Sequence, residues 1–178
     1  SFVQIAAPSR GSLEEYKSFQ ERIHALTDRV NKRFGHEGYK PVHLLAVHHD
    51  QASLYELYRA ADACMVTSLH DGMNLVCKEF VAARDDLQGV LILSRFAGAA
   101  RELTEALIVN PYHVEETADA LNRAALMPVG EQRERMASLR STVTRAGETA
   151  SRTLTPPQTN TMSTSGASAR RVVGVIIR

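Results

Sequence analysis

Residues 68–76 read Ser-Leu-His-Asp-Gly-Met-Asn-Leu-Val, a polar loop running into an apolar helical pattern. Gly72 permits backbone conformations closed to other residues. Asn74 is a good N-cap, and the helix it opens presents several N–H groups without intrahelical acceptors. Such a helix start attracts a phosphate or a sugar hydroxyl. Asp71 beside it is an acceptor for sugar hydroxyls, and Glu79, on the same helix, is of the type that takes the paired hydroxyls of a ribose. From residue types alone, a capped helix with a solvated aspartate is the more ordinary reading of the loop. Two further segments have the same character. Ser94 to Ala100 (Ser-Arg-Phe-Ala-Gly-Ala-Ala) is small enough for backbone to approach a ligand, or is simply a tight turn. Pro8 to Gly11 carries Arg10, which is able to clamp an anion through two parallel N–H bonds or to stand solvated.

Other groupings fail on geometry. His48-His49-Asp50 has metal-binding residue types, but neighbours in a loop rarely converge on one ion and no further ligand follows at helical spacing, so no metal is expected. Ser68, His70 and Asp71 stand too close together for a hydrolase relay, and no nucleophile elbow is present. Neither a phosphate-cradling GxxxxGK loop nor a GxGxxG turn occurs.

The elements that must position these residues alternate between short apolar runs and helical patterns. Strands are expected at Phe2 to Ala6, Val42 to Val47, Ala63 to Thr67, Gly89 to Ser94 and Ala106 to Val109. Between them, Ser12 and Glu15 form a capping box that opens a long helix. Its stripe of Leu13, Tyr16, Phe19, Ile23, Leu26, Val30 and Phe34 is expected to face the core, and Gly35 ends it. Shorter helices are expected after residue 50, over 74–83, 113–126 and 129–145. The strand runs are apolar throughout rather than alternating, so both faces must be covered. This predicts a Rossmann-like, doubly wound parallel α/β sheet of about five strands. Such sheets bind ligands beyond the carboxyl ends of their strands, where Pro8 to Gly11, Ser68 to Met73 and Ser94 to Ala99 lie.

After Glu148 no acidic residue occurs, and Thr, Ser, Ala and Arg dominate. One domain over residues 1–146 and a disordered or atypical tail over 147–178 are expected. Arg170 to Arg178 reads at most as one isolated strand without a link to the preceding pattern. The formal charge of +1, from 21 basic and 20 acidic residues, gives no reason to expect nucleic acid or a membrane surface as partner. Cys64 and Cys77 sit in apolar surroundings and read as buried, reduced thiols, and no signal peptide or spanning segment is visible, so a cytoplasmic location is expected. Phe2 already reads as a strand with no methionine before it, so Ser1 need not be the natural start.

Asp71 to Ala83 (Asp-Gly-Met-Asn-Leu-Val-Cys-Lys-Glu-Phe-Val-Ala-Ala) resembles a signature of the trehalose-6-phosphate synthase family. Gly89 to Ala100, Ala106 to Tyr112, Ala7 to Arg10 and Arg29 to Gly35 are similar to further motifs of that family in the same order, so the resemblance covers about residues 2–145. It implies the C-terminal, donor-binding half of a retaining GT-B glycosyltransferase that moves glucose from UDP-glucose to glucose 6-phosphate, without a metal or other cofactor. Carried over by position, Asp71 would hold donor glucose hydroxyls, and Gly72, Met73 and Asn74 would contact the glucose and diphosphate through their backbone. Leu75 and Val76 would line the nucleotide pocket and Glu79 would bind the ribose. Arg10 would meet glucose 6-phosphate, and His49 and Leu54 would lie near the uracil.

Departures from the family pattern are as specific. Among these 178 residues no RLDYxKG-like segment occurs, so the family's diphosphate-clamping arginine and lysine are not expected among them, nor its N-terminal domain with the active-site histidine. His70 stands where the family commonly has an arginine. The 178 residues by themselves are therefore expected to have little or no transferase activity. Two other readings are a glucosylglycerol-phosphate synthase, which shares the donor half, and a non-catalytic remnant that still holds a nucleotide sugar. An uncovered interdomain surface would also favour self-association.

Overall fold

A computed structural model describes residues 1–5, 14–46, 49–150 and 172–175. In chain order these form β1 (Phe2–Ile5), α1 (Glu14–Phe34), β2 (Val42–Leu45), α2 (Gln51–Ala60), β3 (Ala63–Val66), α3 (Leu75–Ala83) and β4 (Val90–Ser94). A 3-10 turn (Gly98–Arg101), β5 (Leu107–Val109), α4 (Val114–Leu126), α5 (Val129–Ala150) and β6 (Val172–Val175) follow. All five expected strands and the helices between them are present, the strands shorter by a residue or two than expected.

Every strand pair is parallel, in the order β2-β1-β6-β3-β4-β5. The two faces of β3 and β4 carry different cores. Cys64, Val66, Leu91 and Leu93 point to one side, with Tyr58, Phe80, Val81, Met136 and Leu139 of α2, α3 and α5. Ala63, Val90 and Ile92 point to the other, against Ala124 and Met127 around α4. The expected doubly covered parallel sheet is what these residues build, because a strand apolar at every position must be packed on both faces.

Two expectations need correction. The apolar stripe of α1 does not face a core: Phe19 is 42% and Leu26 50% exposed, Phe34 is exposed, and Ile23 and Val30 are half-buried. The helix packs against β2, which is an edge strand, and no further layer covers it among the described residues. Leu13 and Ser12 lie outside the described residues. The segment read as an isolated strand of the tail is instead central. Val172–Val175 pairs with Phe2–Ile5 on one side and Ala63–Val66 on the other. Sheet position depends on which backbone edges stay open, and no periodicity within a segment reveals that. The rest of the tail, 151–171 and 176–178, lies outside the described residues.

Helix ends follow their caps. Asp50 Oδ1 accepts from Ser53 N at 2.7 Å to open α2, and His113 Nδ1 accepts from Glu116 N at 3.0 Å to open α4. The carboxylate of Asp50 is thus occupied by the backbone. Arg84 closes α3 in a buried position. Its Nη1 donates to the carbonyls of Tyr58, Arg59 and Ala61 at the end of α2, its Nε donates to Gln88 O, and its Nη2 pairs with Asp86. A cation at the carbonyl end of a helix is favourably placed.

The chain leaves β1 toward β2 on one side of β6, then crosses to β3 on the other. The direction of winding therefore reverses at β6, and in an open parallel sheet the crevice outside such a reversal is where ligands bind. The loops after β1 and β3 flank it. That after β1 lies outside the described residues, and that after β3 is the Ser68–Asn74 loop.

Candidate functional site

The loop between β3 and α3 is folded around Asp71. Its Oδ1 accepts from the backbone N–H of Met73 at 3.1 Å and of Asn74 at 2.9 Å, and its Oδ2 accepts from Asn74 Nδ2 at 2.9 Å. Asn74 is 2% exposed and adopts φ 67°, in the left-handed region that asparagine tolerates better than most residues. Its side chain works in both directions, as Nδ2 also donates to the buried Ser68 Oγ at 3.2 Å while Oδ1 accepts from Cys77 N at 3.0 Å. Cys77 Sγ donates to Asn74 O. With the Cys77 amide capped, the N–H groups of Leu75 and Val76 have no acceptor among the described residues. Free amides, those of Leu75 and Val76 among them, thus stand at a helix start whose rim is open: Gly72 is exposed, Met73 is 55% and Leu75 60% exposed.

The Ser94–Ala100 segment templates this loop. Asp71 N donates to Phe96 O at 3.3 Å, Gly98 N to Asp71 O at 2.9 Å, and Ala99 N to Met73 O at 3.1 Å. The approach requires glycine, because a Cβ on Gly98 would stand 2.0 Å from the Gly72 carbonyl oxygen. Lys78 and Glu102 pair at 2.8 Å across the same junction. Beside it, the rings of Phe96 and Tyr112 meet edge-on with centroids 5.8 Å apart, so the loops after β3, β4 and β5 form one surface.

Glu79 lies on α3 behind the free amides and is half-buried, and burial raises its carboxyl above the ordinary range, only partly offset by a hydrogen bond from Tyr58. Burial likewise pushes Cys77 up to about 12 and Cys64 higher still, so both are inert thiols, free and buried as expected. Of the other expected site residues, Val76 and Leu54 are half-buried and pack against the main core. His49 is half-buried just before the Asp50 cap of α2, its Nε2 shut from solvent and without a hydrogen-bond partner among the described residues. His70 is exposed, and Arg10 lies outside the described residues. The structure therefore brings Asp71, Gly72, Met73, Asn74, Leu75, Val76 and Glu79 together on one strand-to-helix junction. Sequence reasoning did not give Ser68 its anchoring role, nor tie Gly98 to Gly72. Contacts between segments 26 residues apart leave no trace in local spacing, although the glycine was a signal for close approach.

Residues 1–150 match the model of glycosyltransferase family 20. The chain belongs to glycosyltransferase family 20. It is 48% identical over 139 residues to the trehalose-6-phosphate synthase of Salmonella arizonae, and 48% identical over 132 residues to that of Klebsiella pneumoniae. These alignments take in 78% and 74% of this chain but 29% and 28% of the relatives, so the chain spans less than a third of their length. Its fold matches an E. coli structure bound with UDP-2-fluoro glucose, with a TM-score of 0.78 and 44% identity over 80% of this chain and 32% of that one. It also matches an alpha,alpha-trehalose-phosphate synthase (UDP-forming) from Burkholderia xenovorans in complex with glucose-6-phosphate, with a TM-score of 0.79 and 40% identity over 82% of this chain and 32% of that one. The family and the Rossmann-like α/β fold are thus the expected ones. Among the described residues no helix is long and apolar enough to cross a membrane.

Proposed function

We propose that this chain carries the nucleotide-sugar-binding half of an enzyme that transfers glucose from UDP-glucose to glucose 6-phosphate, giving trehalose 6-phosphate with retention at the anomeric carbon. The observation that supports it most is the pair of unsatisfied Leu75 and Val76 amides at a rigid helix start, with Glu79 behind them. The amides and the positive end of α3 receive the diphosphate, whose charge grows as the glucosyl bond breaks. Donors fixed in advance stabilise that charge without reorganising. Glu79 accepts from the ribose hydroxyls. Asp71 has two tasks, since its carboxylate holds the loop and its remaining lone pairs accept from the glucose. His49 and Leu54, after β2, are read as neighbours of the uracil, and Arg10 as the contact to glucose 6-phosphate.

The acceptor must stand on the far side of the glucose, where the described residues present the exposed rim of Met73, Leu75, Phe96 and Tyr112. Turnover needs a second wall to hold both substrates in line. The rim is also the surface through which copies of this chain would associate. Calorimetric titration of UDP and UDP-glucose into the chain, with Glu79→Ala as control, tests the proposal. Micromolar to millimolar binding that the substitution removes supports it, and absence of binding by the folded chain refutes it.

A further inference from the structure

Tyr58 is 1% exposed on α2, with ring centroids 6.3 Å from Tyr55 and 6.2 Å from Phe80. A phenylalanine would fill the same space, so packing does not account for the hydroxyl. A buried hydroxyl is costly unless it is bonded. This one donates to Glu79 Oε2 at 3.5 Å, and Tyr58 is the one hydrogen-bond partner of the Glu79 side chain among the described residues. One carboxylate oxygen is thereby tied to α2 while the other stays open. The titratable groups facing Glu79 are Tyr55 and Tyr58, both kept protonated by burial and by the carboxylate itself. Lys78, its neighbour on α3, is engaged with Glu102.

We propose that Tyr58 is a positioning residue that makes the site select ribose over 2′-deoxyribose, by holding the Glu79 carboxylate in one orientation. The proposal rests on Glu79 being the ribose acceptor. A free glutamate side chain turns to suit whichever hydroxyl is present. A pinned one meets both hydroxyls of a ribose and leaves a lone pair unmet when one is missing, and such unmet groups are what make a site discriminate. The cross-helix bond also favours the ionised carboxylate, the form that accepts.

The test is titration of UDP and of its 2′-deoxy analogue into the full chain and into Tyr58→Phe and Glu79→Ala. The unaltered chain should prefer UDP, and Glu79→Ala should lose that preference. Tyr58→Phe should weaken UDP binding by up to about tenfold, the worth of one hydrogen bond, and bring the two ligands closer in affinity, with thermal unfolding unchanged. Its UDP affinity should also fall off at higher pH than that of the unaltered chain, because Glu79 has lost a donor to its charged form. A role in packing alone would move neither the ligand ratio nor the pH profile. If Tyr58→Phe retains both while Glu79→Ala loses the preference, the proposal is overturned and the ribose reading stands. If Glu79→Ala keeps the preference, or the unaltered chain does not bind UDP, the ribose reading falls and the proposal with it.

Discussion

Burial raises the Glu79 carboxyl above the ordinary carboxylate range, so its surroundings favour the neutral form. A raised folded-state pKa contributes stability only while the group is protonated. That contribution is complete below the ordinary carboxylate range and is lost as pH rises through the raised value. Glu79→Gln should therefore unfold at a higher temperature than the unaltered chain at pH 7, and the gap should close as the pH is lowered toward 4, while UDP binding is lost throughout. Thermal unfolding across that range reads the sign directly. Function sites commonly carry such a cost. Removing the Asp71 side chain should instead destabilise the fold, because three hydrogen bonds depend on its carboxylate. Asp71→Ala is expected to lose about 1–3 kcal/mol in urea unfolding, the cost of leaving donors unmet, and to weaken UDP-glucose more than UDP. At this scale much was legible in the residues: an Asp-Gly-x-Asn loop before an apolar helix already states an N-cap and an anion-seeking helix start. The internal use of Asp71 was not legible, because a short carboxylate serves its own loop or a sugar with the same residue type.

Between elements, the decisive contact is the approach of the Phe96–Ala99 backbone to Asp71–Met73. Gly98→Ala places a methyl 2.0 Å from the Gly72 carbonyl oxygen, and backbone on both sides leaves no flexible group to yield. The loop must shift, and UDP-glucose binding should weaken about tenfold or more, as misplacement of a site by an ångström does, with the helical circular dichroism kept. Equal binding by Gly98→Ala would show that the template is dispensable. Arg84 joins α2 to α3 in the same manner. Arg84→Met empties three carbonyl partners and should cost about 3 kcal/mol in urea unfolding. Strand and helix limits were readable from periodicity and caps because those are local. The tie between α2 and α3 was not, because its partners lie 23 to 26 residues from Arg84.

Across the molecule, β6 joins β2-β1 to β3-β4-β5. An interior strand uses both backbone edges, and proline supplies no N–H. Gly174→Pro should thus lower stability by about 3 kcal/mol or more and broaden the unfolding transition, and an unchanged transition would show that the two halves of the sheet hold without it. The run of Val and Ile after Arg171 is legible as a strand, but its place is not, because that is fixed by what flanks it. Conversely, the strong stripe of α1 overstated its burial. Periodicity reports that a face favours cover and is silent on whether cover exists. Leu26→Ser should accordingly change stability by less than about 0.5 kcal/mol, as substitutions at exposed positions do.

On the proposed function, the open amides of α3 receive the diphosphate of a nucleotide sugar. Amide NMR shifts followed during titration with UDP read this at the two residues concerned. The Leu75 and Val76 resonances should move most and gain protection from exchange, with Glu79 following. Binding that leaves those two amides unmoved would contradict it.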